Sequence, residues 1–337
     1  MKTSFGFLLA ALLMPTSGTV LAQDESAPFH GRWALHLPGG AGWLHVHEND
    51  GFLDAELLWY GGSVLPVSGV YVHGDMLTAT RQFTVVRKRD DNNKPVRSHT
   101  LTSRLEVRRD GDGLKGVAIF PNRNGTGIRK VAFTGTLTPD LPPAPDMDAI
   151  QFGEAIALFN GKDLSGWSLV NPEQENGFMV EDGTLINNPV QPEEDHHISY
   201  GNLRTDQTFE DFNLTLEVNV PEGSNSGVYL RGIYEIQVMD SYGKKLDSHH
   251  MGALYSRIAP SVAAEKPAGE WQTMDITLYQ RHVTVLLNGA KIIDNQPVLG
   301  VTGGALTADE FAPGPIYLQG DHGRILYRNF VLTPIVN

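Results

Sequence analysis

Along most of the chain apolar and polar residues alternate instead of recurring every three or four positions. That period puts neighbouring side chains on opposite faces and predicts strands. In the first half Trp43–His47 alternates, Phe52–Tyr60 is a longer apolar run, and Leu65–Val72, Met76–Arg87, Leu101–Arg108, Leu114–Phe120 and Lys130–Leu137 follow. Asn49-Asp50-Gly51, His73-Gly74-Asp75 and Asp110-Gly111-Asp112-Gly113 punctuate them as tight turns. Consecutive strands at this spacing predict a small antiparallel β-barrel or sandwich over residues 29–138. The second half alternates in Phe212–Val220, Gly227–Arg231, Tyr234–Asp240, Trp271–Tyr279, Ile316–Gln319 and Leu326–Leu332, and Asn288-Gly289 joins Val283–Leu287 to Lys291–Ile293. This predicts a two-sheet jelly-roll sandwich over 152–335. Pro139, Pro142, Pro143 and Pro145 mark an extended linker at 139–151. No long amphipathic helix is legible, and the fold class is all-β.

Composition then narrows the chemistry. Gly 36 and Pro 20 in 337 residues fit a chain cut by many turns. A net charge of −13 argues against nucleic acid as a partner, because phosphate contacts need clustered Lys and Arg. Zero cysteines exclude disulfides, thiol nucleophiles and thiolate metal sites. Residues 1–22 read as a signal peptide: Lys2, then the apolar run Phe5–Met14, then Val20-Leu21-Ala22. That run is too short to span a bilayer, which needs about 20 residues. The expectation is a soluble exported protein, periplasmic or secreted, with no membrane insertion.

Strand parity sorts the candidate chemistry. Val228, Leu230 and Ile236 share one face of a predicted hairpin, while Tyr229, Arg231, Glu235 and Gln237 share the other. Tyr317 and Gln319 alternate in the same way against Ile316 and Leu318. Bidentate donors, carboxylates and aromatic rings are an inventory for gripping a polyhydroxylated ligand, although an outer sheet face is also simply solvated in many sandwiches. In the first half, Trp33, Trp43 and Trp59 are either a sugar-stacking platform or core filling. His45 and His47 sit on one strand face as an incomplete metal pair.

Glu235 to Asp240 resembles the E-x-D-x-x-E strand of laminarinase-type retaining glycosidases, with Gln237 and Asp240 departing from the pattern. A β-bulge would be needed to bring Asp240 to the face of Glu235, at the carboxylate spacing of about 5–5.5 Å that retaining hydrolysis uses. A broader likeness covers the whole second half. Leu158–Trp167, Phe178–Leu185, Asn225–Tyr242, Ala253–Ile276 and Gly314–Phe330 come in the order and spacing of the 3-keto-disaccharide hydrolase family, and this half resembles that family. Ser256 stands where a glycine is expected after the tyrosine.

The resemblance implies a concanavalin-like jelly roll acting on glycosides oxidised to a ketone at sugar carbon 3. The ketone acidifies the carbon 2 hydrogen, so a base removes it, the aglycone leaves carbon 1, and water adds to the enone. On this reading Glu235, or else Asp240, is the base, Lys266 neutralises the enolate and His322 is the acid. Tyr229, Arg231, Gln237, Tyr255, Trp271, Gln319 and Arg324 bind substrate. Three of these have structural alternatives, a strand-turn cap for His322 and Arg324 and core packing for Trp271. No cofactor is required outright, but a divalent cation on the ketone oxygen is an option, with His249, His250, Asp240 and His322 as conceivable ligands. The alternatives are a non-catalytic carbohydrate-binding protein and a conventional retaining glycosidase.

Overall fold

The computed structural model describes residues 25–192 and 197–337. The signal-peptide segment 1–22 lies outside the described residues. Among the described residues no helix is long and apolar enough to cross a membrane.

The first half is an antiparallel sheet whose two ends meet. Its strands run Gly31–Leu37, Gly40–Asn49, Phe52–Trp59, Leu65–Pro66, Gly69–His73, Met76–Arg89, Pro95–Asp110, Gly113–Pro121 and Ile128–Leu137. Ile128–Leu137 pairs back onto Gly31–Leu37. The continuous stretch from Leu65 to His73 pairs at its start with Glu56 and Leu57, and at its end with Met76 to Thr80. One segment thus bonds to both remaining edges and seals an up-and-down barrel, which removes the exposed sheet edges. Of the two architectures predicted here, the barrel is the one that forms.

Alternation decides what fills it. Trp33, Leu35, Leu44, Val46, Leu57 and Val107 point inward and form the barrel core. Trp33 also donates its indole N–H to Phe29 O at 2.7 Å. Trp43 has the opposite parity and belongs to the sandwich core, with Ala41 and Leu58. Its indole N–H donates to Val301 O at 2.9 Å. The guanidiniums of Arg32 and Arg257 lie 5.0 and 4.7 Å from its ring. Trp33 and Trp43 are therefore core residues, and their burial leaves no ring face for a sugar. Trp59 is half-buried and packs on Phe120 and Phe133.

The second half is the jelly-roll sandwich. One sheet takes the order Phe178–Glu181, Thr184–Asn187, Ile325–Pro334, Phe212–Asn219, Trp271–Tyr279, His282–Leu287, Ala290–Pro297, with Ile156–Ala157 also on Ile325–Pro334. The other takes the order Trp167–Leu169, Leu203–Thr205, Tyr317–Leu318, Asn225–Leu230, Tyr234–Met239. Leu214, Leu216 and Val218 from the first sheet meet Val228, Ile236 and Val238 from the second in one core. Every strand pairing within the two sheets is antiparallel.

Candidate active site

The hairpin Asn225–Leu230 and Tyr234–Met239 supplies the centre of the site. Its register runs without a break from Asn225↔Met239 to Leu230↔Tyr234, placing Tyr229 opposite Glu235 and Gly227 opposite Gln237. Tyr317 lies opposite Tyr229 on the next strand, and their rings stack at 3.8 Å. On the far side, Tyr255 N donates to Glu235 O at 3.0 Å, which sets Tyr255 alongside Glu235. The row across the sheet is therefore Tyr317, Tyr229, Glu235, Tyr255.

This face is polar and yet covered. Glu235 and Gln237 are each only 3% exposed. The segment Thr302–Leu306 crosses the tyrosine end: Tyr229 donates to Gly303 O at 2.7 Å and Tyr317 to Gly304 O at 2.9 Å. Thr302 Oγ1 accepts the Glu235 backbone N–H at 2.8 Å. The barrel closes over the same segment, with Gly304 N donating to Tyr60 O at 3.0 Å. A Cβ at Gly303 would sit 2.2 Å from Gly62 O, so the two backbones touch and only glycine fits.

Glu235 has no cationic partner among the described residues. Burial alone pushes its carboxyl up to about 8, and the bond from Tyr229 opposes this only in part. The hydrogen bonds agree with a protonated acid. The Tyr229 hydroxyl lies 2.8 Å from Glu235 Oε2 and 2.7 Å from Gly303 O, two acceptors for one phenolic proton. If Glu235 carries a proton it donates to Tyr229 Oη, and Tyr229 donates onward to Gly303. The other oxygen, Oε1, leans over Gly227, where a Cβ would stand 2.3 Å away. Gly227 makes room for the carboxyl. Next to it Gln237 donates through Nε2 to Asn225 Oδ1 at 2.8 Å, while its Oε1 is buried without a partner. A buried acceptor with no donor is uncommon and marks a place where a ligand hydroxyl fits.

The other sequence candidates lie in different surroundings. Arg231 is not on the strand but in the three-residue turn, at a φ of 54°, and donates to Glu310 O and Ala312 O. Asp240 follows the strand end and accepts from Gly223 N at 2.9 Å. With no bulge in the hairpin, Asp240 and Glu235 keep opposite parity, so the close carboxylate pair expected for retaining hydrolysis does not form. Lys266 donates from Nζ to Trp271 O at 2.9 Å, and Trp271 lies under the Arg328 guanidinium at 4.0 Å. Gln319 N donates to Gly227 O at 3.1 Å, bringing that residue beside the Gln237 end of the face. His322 and Arg324 are exposed in the following loop. Partial desolvation lowers the His322 pKa, against the pull of Asp321. Past Asp240 a cavity of about 360 Å³ is lined by Tyr242, Lys244, His250 and Glu265, with Glu265 held by Ser241 N and Oγ at 2.9 and 2.5 Å.

The proposed cation ligands do not converge. Among the described residues no three His, Asp or Glu side chains come together in a group able to hold a metal ion. His45 and His47 stack at 4.6 Å, with Glu56 3.7 Å from His45 and Asp54 paired opposite His47. His249 is engaged otherwise: its Nδ1 is 2.6 Å from Asp247 Oδ1 and its Nε2 is 2.8 Å from Ser63 Oγ, on the barrel. Its ring meets Tyr255 edge to face at 5.1 Å. Ser63 carries no sequence signal, because it meets His249 only through docking of the two halves, whereas Asp247 meets His249 locally, two residues away. Ser256 is explained by the same docking. It holds a left-handed φ of 61°, where glycine is the unstrained residue, and its Oγ accepts the backbone N–H of Val64 at 3.0 Å.

An all-β chain of a sealed barrel and a jelly-roll sandwich, with a buried polar face on the smaller sheet, is what the fold and site define. The model of the 3-keto-alpha-glucoside-1,2-lyase-like domain matches residues 154–333, and the chain belongs to that family. A 3-keto-disaccharide hydrolase of Bacteroides thetaiotaomicron is 25% identical over 182 residues, which are 45% of this chain and 63% of that protein. The chain thus spans less than two thirds of the curated relative it matches. A solved structure from Parabacteroides distasonis, described as a glycosyl hydrolase, is 28% identical with a TM-score of 0.44, covering 58% of this chain and 94% of that one. Another from the same organism is 25% identical with a TM-score of 0.41, covering 54% of this chain and 100% of that one.

Proposed function

We propose that the sandwich cleaves glycosides bearing a ketone at sugar carbon 3, by elimination followed by hydration, with Glu235 as the base. One observation carries the assignment: a carboxyl with its pKa raised to about 8, hydrogen-bonded to Tyr229 and unpaired with any cation, beside the unpartnered acceptor of Gln237. Family membership supports the same chemistry. Ionised Glu235 is a far stronger base than a solvated carboxylate, which suits removal of a hydrogen made acidic by the neighbouring ketone. The C2–H pair moves into the C1–C2 bond, the aglycone leaves C1, and water then adds at C1. In this reading Gln237 and Gln319 bind sugar hydroxyls, which the unpartnered Oε1 of Gln237 supports. Because the face is covered, substrate reaches it only when the overlying segments open. No step is assigned to a metal ion, since among the described residues the candidate ligands do not form a set. Export through residues 1–22 belongs to the same proposal.

The test is incubation with 3-keto-trehalose or a 3-keto aryl glucoside, and with each unoxidised parent. Release from the keto substrate alone is expected. Release from the parent indicates a conventional glycosidase, and binding without release a carbohydrate-binding protein. Glu235→Gln should lower kcat/KM on the keto substrate by about 100-fold or more. The wild-type rate should rise with pH through about 8, as the base ionises.

A further inference from the structure

The geometry points to a catalytic site shared by the two domains, in which Ser63 of the barrel, backed by His249 and Asp247 of the sandwich, carries the proton to and from the oxygen on sugar carbon 1. This rests on the elimination chemistry proposed above and assigns the barrel a part in it. Asp247, His249 and Ser63 form a continuous line, 2.6 Å from carboxylate to Nδ1 and 2.8 Å from Nε2 to Oγ. The line ends at the site. His249 rests on Tyr255, Tyr255 lies alongside Glu235, and Val64, the residue after Ser63, is fixed to Ser256 next to Tyr255. Ser63 is thus linked to the base through two intervening residues, His249 and Tyr255. A carboxylate that orients an imidazole, which in turn addresses a hydroxyl, is an arrangement suited to moving a proton at that hydroxyl.

The steps balance. In the elimination, ionised Glu235 takes the proton from C2 while the C1–O bond breaks. The departing oxygen receives the Ser63 hydroxyl proton, and Ser63 Oγ is refilled from Nε2 of protonated His249. In the hydration, a water oxygen bonds to C1 and its proton passes through Ser63 Oγ back to His249, as C2 recovers the proton from Glu235. Glu235, Ser63 and His249 all end as they began, and the net change is hydrolysis of the glycosidic bond. Asp247 is a positioning residue in this scheme.

Leaving-group dependence is the test. In the full chain, Ser63→Ala and His249→Gln should lower kcat about 100-fold on a 3-keto-disaccharide, whose departing oxygen needs a proton. On a 3-keto 4-nitrophenyl glucoside, whose departing oxygen is stable as an anion, the same variants should lose no more than about threefold. Ser63→Thr, which keeps the hydroxyl, should restore most of the disaccharide rate. Equal losses on both substrates, or none on either, would overturn the assignment. A second measurement needs no turnover: the His249 ring-nitrogen resonances, compared between the full chain and its Ser63→Ala variant. A shift at Nε2 supports the contact between the domains, and unchanged signals refute it. If the wild type leaves every keto substrate intact, the elimination reading fails and the proton-transfer role with it, while the resonances still decide the contact.

Discussion

The start of the barrel strand Gly40–Asn49 and the smaller sheet of the sandwich both bury residues on two faces, but they bury different things. On the outward face of that strand Ala41 and Trp43 join the sandwich core, and Trp43, with two guanidiniums on its ring, ends in one satisfied hydrogen bond. The second face of the sheet holding Glu235 is covered just as fully, yet it carries a carboxyl without a cation and an amide oxygen without a donor. Covering such groups costs free energy that apolar burial does not. The difference teaches where to look for function: stability accounts for Trp43, and it does not account for Glu235 or Gln237.

The largest effect that tests this contrast is expected at Trp43. Trp43→Ala should destabilise the protein by about 3–5 kcal/mol, visible as a lower midpoint in denaturant, because it empties the core joining the two domains. Next comes the pH dependence of stability at Glu235. The folded carboxyl holds its proton up to about 8, whereas in the unfolded chain it ionises near 4.5. The folded state then binds more protons, so this group stabilises at low pH and that contribution is lost as pH rises from 4.5 through 8. Glu235→Gln should remove the trend, gaining on the order of 3 kcal/mol relative to wild type between pH 5 and 8 in chemical-denaturation titrations. A parallel pH dependence in both proteins would place the raised pKa elsewhere. Gly227→Ala should cost about 1–3 kcal/mol, since its Cβ would meet Glu235 Oε1 at 2.3 Å, and it should depress turnover by pushing the carboxyl aside. Smallest is Ser256→Gly, where relief of the left-handed strain opposes loss of the bond to Val64. A net change within about 1 kcal/mol is expected in thermal melts.

Much of this is legible in the sequence. A period of two assigns Tyr229, Glu235 and Gln237 to one face, because strand geometry leaves no other choice, and the observed register keeps them there. Arg231 escaped that rule because the turn begins one residue earlier, so its guanidinium meets carbonyls instead of the sheet face. The bulge invoked for Asp240 depends on hydrogen bonding between strands, which alternation along one strand does not encode. Closure of the barrel was equally hidden. The sealing stretch is short, interrupted at Val67-Ser68, and pairs with one strand before it and another after it. The line from Ser63 to His249 crosses 186 positions and exists only once two separately folded surfaces meet. Ser256 stands out in the sequence as an exception, and its contact with Val64 across the interface accounts for it.

The stretch from Tyr60 to His73 has two duties at once. Its first residues lie against Gly303, Gly304 and Ser256 over the site, and the rest of it is the seam that holds the barrel shut. Roof and seam are one piece of chain with few residues between them. Lifting the roof to admit a saccharide therefore pulls on the seam, and a tight seam resists the lift. On the proposed function, in which this stretch lifts to admit substrate, the stiffness of the barrel would set how often it does so.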